Sequence, residues 1–244
     1  MLAVETGLNV LLSWGDQGYG DELIWGAFRT LQIAVLGYFL GLCIGLLSAN
    51  GKLAGPHWLR HVLGAYTTVF RALPELILIM LLYYAGTEAL NTLLATLGIG
   101  SVQLGGFAAA VLVLGVVQGA YSTEVLRAAI LAVPRGQLEA AHSLGMSPFL
   151  SFRRITLPAM LPNAVPGLAN LWLNITKDSA LISIVGFGEL ALVTQQVAGA
   201  TRRYFVVYLI SQMIYLLISQ VSLAGFLAVE RRLRRGQALP MAVH

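Results

Sequence analysis

The sequence predicts an all-α integral membrane protein with five transmembrane helices, and three observations lead to that class. Hydrophobic residues make up 57% of the 244-residue chain and charged residues only 11%, whereas soluble domains carry roughly 25% charged residues. The mean hydropathy is +0.77. Apolar stretches as long as a bilayer-spanning helix, about 20 residues, recur along the chain. These properties exclude a soluble globular domain and predict one membrane domain of several spans.

The segment before the first span, residues 1–22, is expected to be an amphipathic lead-in on the outer side of the membrane. It carries Asp16, Asp21 and Glu22. Because its start lacks basic residues, a cleaved signal peptide is not expected. The single cysteine, Cys43, lies in an apolar run and excludes an intrachain disulfide framework.

Five apolar stretches are candidates for the spans. They cover residues 23–49, 62–85, 106–131, 163–189 and 205–229. The second and fourth are interrupted by charged residues and prolines: Arg71, Pro74 and Glu75 in the second, and Pro166, Lys177, Asp178 and Glu189 in the fourth. Glycines at spacings of four, Gly37, Gly41 and Gly45 in the first span and Gly115 and Gly119 in the third, predict close helix packing, within the chain or between subunits.

Basic residues near the span ends predict the orientation, because cytoplasmic loops are enriched in lysine and arginine. Nine of them fall between spans one and two, between spans three and four, and after span five: Lys52, Arg60, Arg135, Arg153, Arg154, Arg231, Arg232, Arg234 and Arg235. The opposite loops hold Arg202 and Arg203. The N-terminus is therefore expected outside, and the C-terminal tail, residues 231–244, inside.

A polar, basic segment at residues 134–158 falls between spans three and four, on the predicted cytoplasmic side. Pro134 can begin a helix, and Gly145 can end it with a left-handed turn. Ser147 and Pro148 can then start a second helix that runs to Leu157, with Pro158 and Pro162 expected to break it before span four. The segment is predicted to be a short helix pair lying across the cytoplasmic face.

The same segment has a recognisable pattern: Glu139-Ala140-Ala141, three residues, Gly145, nine residues, Ile155, one residue, and Leu157-Pro158. This pattern resembles the EAA loop of ABC importer permeases, through which the membrane subunit contacts its ATPase. Tyr66–Glu75 and Lys177–Leu181 resemble the second-span and fourth-span signatures of polar amino acid permeases. Residues 23–230 thus resemble a type I ABC permease domain, most like the Q-type subunit of histidine/lysine/arginine/ornithine or opine importers.

The resemblance implies an ATP-driven importer in the bacterial inner membrane. Its partners would be a dimer of ATP-binding subunits, a second permease of M type forming a heterodimer, a periplasmic substrate-binding protein, the amino acid cargo and the lipid bilayer. It implies ATPase coupling through Glu139, Ala140, Ala141, Gly145, Ile155, Leu157 and Pro158. No nucleic-acid partner is expected.

The chain itself is expected to be neither an enzyme nor a nucleotide binder. A phosphate-cradling loop needs G-x-x-x-x-G-K-[ST], and the nearest look-alike, Gly45 to Lys52, has one residue too many and is followed by leucine. ATP and Mg would bind the partner ATPase, and no cofactor or metal site is expected here. The four histidines, His57, His61, His142 and His244, receive no catalytic role.

Charged residues near the bilayer midplane are the candidates for the substrate path, because such charges usually face a cavity or one another. The candidates are the charged residues Arg71, Glu75, Glu124, Lys177 and Asp178, together with their neighbours Pro74 and Ser179. A zwitterion needs a cation for its carboxylate and an anion for its ammonium, and a cationic side chain needs a further carboxylate. This set fits a cationic amino acid without demanding one.

Several alternatives remain open at this point. Arg71 can pair with Glu75 on one helix face, and Glu124 with Arg127. Residues 186–189 fit either an outer gate or docking surface, or a glycine-rich helix end. A secondary carrier that uses the midplane charges for proton coupling is the rival function, although the inverted repeats typical of such carriers are not evident. An intramembrane enzyme is disfavoured because no nucleophile–base pair or metal-ligand set is present.

Overall fold

The computed structural model describes residues 11–15, 18–98 and 105–235, and no strand occurs in those ranges. The helices after residue 19 are α1 (Gly20–Ala54), α2 (His57–Ala72), α3 (Glu75–Thr96), α4 (Gly106–Leu131), α5 (Arg135–Ser143), α6 (Pro148–Val185), α7 (Leu190–Thr201) and α8 (Tyr204–Leu233). Asp16, residues 1–10 of the expected lead-in and residues 236–244 of the expected tail lie outside the described residues. The all-α prediction is confirmed for the described part of the chain.

Among the described residues, four helices are long and apolar enough to cross a membrane: α1, α3, α4 and α8. Helices α6 and α7 pass the same criterion together, with a bend of 56° between them, so the chain has four to five candidate spans. Burial differs strongly between them: 67% of the most apolar window of α4 is buried, but only 11% of those of α3 and α8. Helix α4 is therefore the centre of the bundle, and α3 and α8 lie at its surface.

Helices α1 and α4 pack more closely than any ordinary side chains would permit. A Cβ atom added at Gly41 would lie 2.6 Å from Cγ of Gln118, and one added at Gly45 would lie 2.5 Å from Cβ of Ser122. From the other side, a Cβ at Gly119 would lie 2.7 Å from an Ile44 methyl group. The glycine stripe of α1 is therefore explained by packing within the chain.

The predicted bounds of the second span, residues 62–85, are wrong. Helix α2 ends at Ala72, Leu73 has an extended backbone with ψ 148°, and α3 begins at Glu75. The break follows from Pro74, because a proline disfavours helical geometry in the residue before it. The candidate span is instead α3, which continues to Thr96 and contains one π-helical turn at Leu82–Gly86.

The prediction that Pro158 and Pro162 break the second helix of the pair at residues 134–158 is also wrong. Helix α6 continues through both prolines and Pro166 from Pro148 to Val185, ending in a 3₁₀ segment. A π-helical turn, Phe152–Thr156, directly precedes Pro158. Such local adjustments let a membrane helix accommodate proline, because they relieve the ring clash and re-satisfy freed backbone groups. The end of the EAA-like segment and the candidate fourth span thus share one helix.

The bend between α6 and α7 is organised around the buried carboxylate of Glu189. Its Oε1 accepts hydrogen bonds from two backbone N–H groups of the first turn of α7, at 2.7 and 3.1 Å. Its Oε2 accepts from the hydroxyls of Thr30 at 3.0 Å and Tyr215 at 2.9 Å. The residue caps α7 and ties it to α1 and α8. This geometry favours the helix-end interpretation of residues 186–189.

Candidate substrate cavity and coupling loop

Helices α3, α4 and α6 enclose a small cavity inside the bundle. Its polar lining consists of Glu75, Gln118, Tyr121, Asn174 and Asp178, and its apolar lining of Ile79, Leu114, Val117, Leu171 and Ile175. The cavity volume is about 10 Å³, close to the minimum of roughly 10–15 Å³ that a single water molecule needs. The cavity as it stands is therefore too small for any ligand much larger than one water molecule.

Two carboxyl groups meet at this cavity. Glu75 and Asp178 lie close enough to interact with each other, and each also acts on Tyr121. In the described part of the chain, no lysine or arginine nitrogen forms an ion pair with either group. Two carboxyl groups this close repel when both are ionised, so a proton shared between them or a cation lying between them stabilises the arrangement.

The guanidinium group of Arg71 lies beside the cavity. Its central carbon is 5.9 Å from the centroid of the Tyr121 ring, within cation–π range. Arg71 forms no ion pair with Glu75 among the described residues. The pairing that the sequence left open as an alternative is absent because Leu73 and Pro74 interrupt the helix between the two residues. The exposed guanidinium is thus left available for an anion.

The structure does not bring all the predicted residues to the cavity. Lys177 is exposed and lies outside the lining, although its charge acts on Asp178. Ser179 is fully buried, and its hydroxyl donates to the carbonyl oxygen of Thr176 at 2.8 Å. Pro74 supplies the start of α3 rather than a lining side chain.

Glu124 belongs to a separate cluster between α1, α2 and α4. Lys52 Nζ lies 2.5 Å from its Oε1 and Arg127 Nε lies 3.1 Å from its Oε2. Lys52 also donates to the Thr67 hydroxyl at 2.9 Å. Both oxygens of Glu124 therefore have a cationic partner, and the residue does not line the cavity.

Sequence reasoning missed three polar residues of the lining: Gln118, Tyr121 and Asn174. Gln118 is only 4% exposed, and its amide donates to the carbonyl oxygen of Leu171 at 3.4 Å. Gln118 and Asn174 lie in apolar helices, where an uncharged polar side chain is itself a signal of an interior or cavity position. They were missed because none of them is charged at neutral pH, and the candidates were chosen mainly as charged residues in apolar spans.

In the EAA-like segment, α5 ends just before Gly145 and α6 begins at Ser147 and Pro148, as these residues predict. Gly145 adopts φ 69°, the amide of Met146 bonds to the carbonyl of Ala141 at 3.1 Å, and that of Gly145 to His142 at 2.9 Å. This is a Schellman ending of α5. The Ser147 hydroxyl then accepts from an amide of the first turn of α6 at 3.4 Å.

A shallow groove lies between α5 and the start of α6. It is lined by Gln137, Ala140, Ala141, Leu144, Met146, Arg154, Ile155, Pro158 and Ala159. Two large apolar side chains stand at this end of the molecule, Leu144 at 77% and Phe149 at 74% exposure. Glu139 is exposed and Leu157 half-buried. Together, these small and apolar side chains form a surface on which a partner protein can pack closely.

Comparison with known proteins places the chain in a family. Residues 41–235 match the family described as "Binding-protein-dependent transport system inner membrane component". The nopaline transport system permease protein NocQ of Agrobacterium fabrum is 44% identical over 233 residues, covering 93% of this chain and 97% of the relative. The histidine/lysine/arginine/ornithine transport system permease protein HisQ of Escherichia coli is 36% identical, covering 88% and 94%.

Solved structures agree with this placement. A crystal structure of an amino acid ABC transporter with histidines superposes with a TM-score of 0.73 at 31% identity, covering 88% of this chain and 95% of that chain. The MetNI methionine ABC transporter in an inward-facing conformation, at 20% identity, shares the fold with a TM-score of 0.72, covering 90% and 99%. The chain therefore belongs to the inner membrane components of binding-protein-dependent transport systems, as a Q-type permease subunit of an ABC importer whose ATPase is a separate subunit.

Proposed function

We propose that the chain forms the translocation path for a cationic amino acid, such as histidine, arginine, lysine or ornithine, or for an opine. The observation that carries the cargo assignment is the pair of carboxyl groups of Glu75 and Asp178, which face one cavity without an ion-paired cation among the described residues. Relatives named for nopaline transport and for histidine/lysine/arginine/ornithine transport support the same class of cargo.

The cavity offers a charge for each ionised group of such a cargo. Glu75 and Asp178 would hold the α-ammonium and the cationic side chain, and the Arg71 guanidinium at the rim would hold the α-carboxylate. Tyr121 lies between these charges: its ring faces the Arg71 guanidinium, and the tyrosine also interacts with Glu75 and Asp178. We assign Glu124 to a structural ion-pair cluster instead, because Lys52 and Arg127 already occupy its two oxygens.

The orientation that we propose has the N-terminus outside, the C-terminus inside, and residues 134–158 on the cytoplasmic side. The placement of basic residues supports it. Glu139, Ala140, Ala141, Gly145, Ile155, Leu157 and Pro158 would then contact the ATPase dimer, with the groove beside Leu144 and Phe149 as the receiving surface. An M-type permease would cover part of the exposed surface of α3 and α8 in a heterodimer, and a periplasmic binding protein would deliver the cargo on the outer side.

The cargo site is tested by Glu75→Gln in the complete importer, reconstituted in proteoliposomes with its ATPase and binding protein. Uptake of arginine, ornithine, histidine and nopaline is measured, driven by ATP. Loss of one of two carboxylates removes a charge-assisted bond from the bound cation, so uptake should fall at least tenfold, or about 1.4 kcal/mol. The matched control is Glu230→Gln, which removes a partly exposed carboxylate paired with Arg234 at 2.9 Å, away from the cavity. Cargo uptake within twofold of wild type in Glu75→Gln contradicts the site.

The coupling role is tested by Gly145→Val, with Gly136→Val as the control in the same loop. Gly145 has φ 69°, where a β-branched residue is strongly disfavoured, and Gly136 sits in a helix with open space around its Cβ position. We expect Gly145→Val to reduce co-purification of the ATPase more than fivefold while the permease still inserts, and Gly136→Val to retain it. Equal retention in both variants would remove the loop from the coupling interface.

A further inference from the structure

Helix α2 carries a basic cluster at its first turns that the transport role leaves unexplained. His57, Arg60 and His61 line one concave surface together with Gly64 and Ala65. The guanidinium is fixed in place because Arg60 Nε donates to the carbonyl oxygen of Gly55 at 2.8 Å. The two imidazole rings stack edge to face with centroids 4.4 Å apart. Three side chains able to bind an anion are thus held on one side of the helix.

The charge of this cluster is not neutralised by neighbours. Residues 23–74 contain no aspartate or glutamate. None of the three ion pairs found in the described residues involves Arg60. Lys52, the other cation near this end, is already committed to Glu124 and Thr67. The cluster therefore presents uncompensated positive charge that favours an anionic ligand.

An exposed apolar stripe begins next to the cluster and runs along the same helix. Trp58 is 67% exposed, Val62 57% and Val69 48%, and Ala65 is exposed between them. Their spacing of three and four residues places them on one face. From Trp58 to Val69 the stripe rises roughly 16 Å, at 1.5 Å per residue, which matches the hydrocarbon depth of one leaflet, about 15 Å.

The depth of the cluster fits a membrane surface. Helix α1 has 35 residues and is therefore about 52 Å long, well beyond the roughly 30 Å of hydrocarbon. With α1 centred on the bilayer, its C-terminal end and the first turns of α2, joined by Gly55 and Pro56, lie outside the hydrocarbon, in or beyond the headgroup layer. Trp58 at that level is the usual interfacial anchor, since indole rings favour this layer.

We propose that α2 binds an anionic phospholipid. The headgroup phosphate is held by Arg60, His57 and His61, and one acyl chain lies along the stripe from Trp58 to Val69. The geometry joins an anion site to an apolar track of one leaflet's length, which is the shape of a lipid rather than of a free anion or a soluble protein. The basic end identifies the headgroup as anionic.

The experiment is native mass spectrometry of the complete importer, released from detergent after incubation with equal amounts of phosphatidylglycerol and phosphatidylcholine of identical chains. We expect wild type to retain phosphatidylglycerol preferentially. Arg60→Gln should weaken that retention about fivefold, the effect of one cation near a membrane surface. The matched control is Arg232→Gln, an exposed arginine near the end of α8, which should weaken the retention less because Arg232 lies outside the concave surface of His57, Arg60 and His61.

A second variant separates the lipid from other occupants of the same face. Val62→Asp places a charge in the apolar stripe and should release the lipid while leaving Arg60 intact. Equal retention of the two lipids by wild type overturns the proposal, as does an equal loss in Arg60→Gln and Arg232→Gln. Loss of the second permease or of the ATPase in Arg60→Gln, with unchanged phosphatidylglycerol, would make the surface a protein contact and likewise overturn it.

Discussion

Two carboxylate sites in the bundle differ in how completely their charges are satisfied. Glu189 is fully buried, and each of its oxygens accepts two hydrogen bonds within 3.1 Å. Glu75 and Asp178 face each other across a cavity, and neither has an ion-pair partner in the described residues. A buried charge with a full set of partners holds helices together, whereas one without partners is positioned to receive a ligand.

The Lys52–Glu124 cluster lies between these extremes. Both oxygens of Glu124 are paired, but the Lys52 and Glu124 side chains retain 17% and 19% exposure. Its charges are satisfied by neighbours, as at Glu189, yet they remain partly hydrated. The contrast therefore separates three groups of carboxylates that hydropathy treats alike: fully buried and paired, partly exposed and paired, and facing one another without a cation.

The same chemical change should have opposite consequences at the two extreme sites. Glu189→Gln removes the charge that strengthens four buried hydrogen bonds and forces the Thr30 and Tyr215 hydroxyls to accept from an NH₂ group, so we expect a loss of about 3 kcal/mol in the free energy of unfolding. Asp178→Asn removes repulsion from Glu75 and should leave that free energy unchanged or higher, while uptake of a cationic amino acid falls at least tenfold. Thermal unfolding in detergent and proteoliposome uptake measure the two quantities.

A smaller effect is expected at the Lys52–Glu124 pair. A double-mutant cycle of Lys52→Met and Glu124→Gln should give a coupling free energy of about 1 kcal/mol, because the pair is only partly desolvated. Denaturant unfolding of the purified chain measures it. Uptake by the single variants should stay within a few-fold of wild type. A large uptake defect at unchanged stability would show that Glu124 belongs to the substrate path, and would contradict its assignment to a structural ion pair.

Local signals in the sequence predicted the local features of the coupling loop. Gly145 ends α5 through a left-handed residue, and Ser147 with Pro148 begins α6, as their conformational preferences dictate. Proline was less informative. Pro74 does end a helix, but Pro158 does not, because the wider turn before it removes the clash. That turn is not visible in the sequence pattern.

The cavity could be predicted only in part, for a different reason. Glu75 and Asp178 stand out as charges in apolar spans, and the structure brings them together. Tyr121 and Gln118 become relevant only because α4 packs at the centre of the bundle, between α3 and α6. Which helices are neighbours is decided by long-range packing, such as the α1–α4 glycine contacts, and no local pattern encodes it.

The continuity of α6 has a mechanical consequence. Asp178 at the cavity and Pro148 at the coupling loop lie on the same helix, 30 residues apart, which corresponds to roughly 45 Å along its axis. We propose that a tilt imposed on the Pro148 end by the ATPase is carried along this helix, through its π-helical turn and internal prolines, and displaces the Asp178 end sideways. Cargo release would then need no chain of side-chain rearrangements, since movement of α6 alone would pull Asp178 away from Glu75.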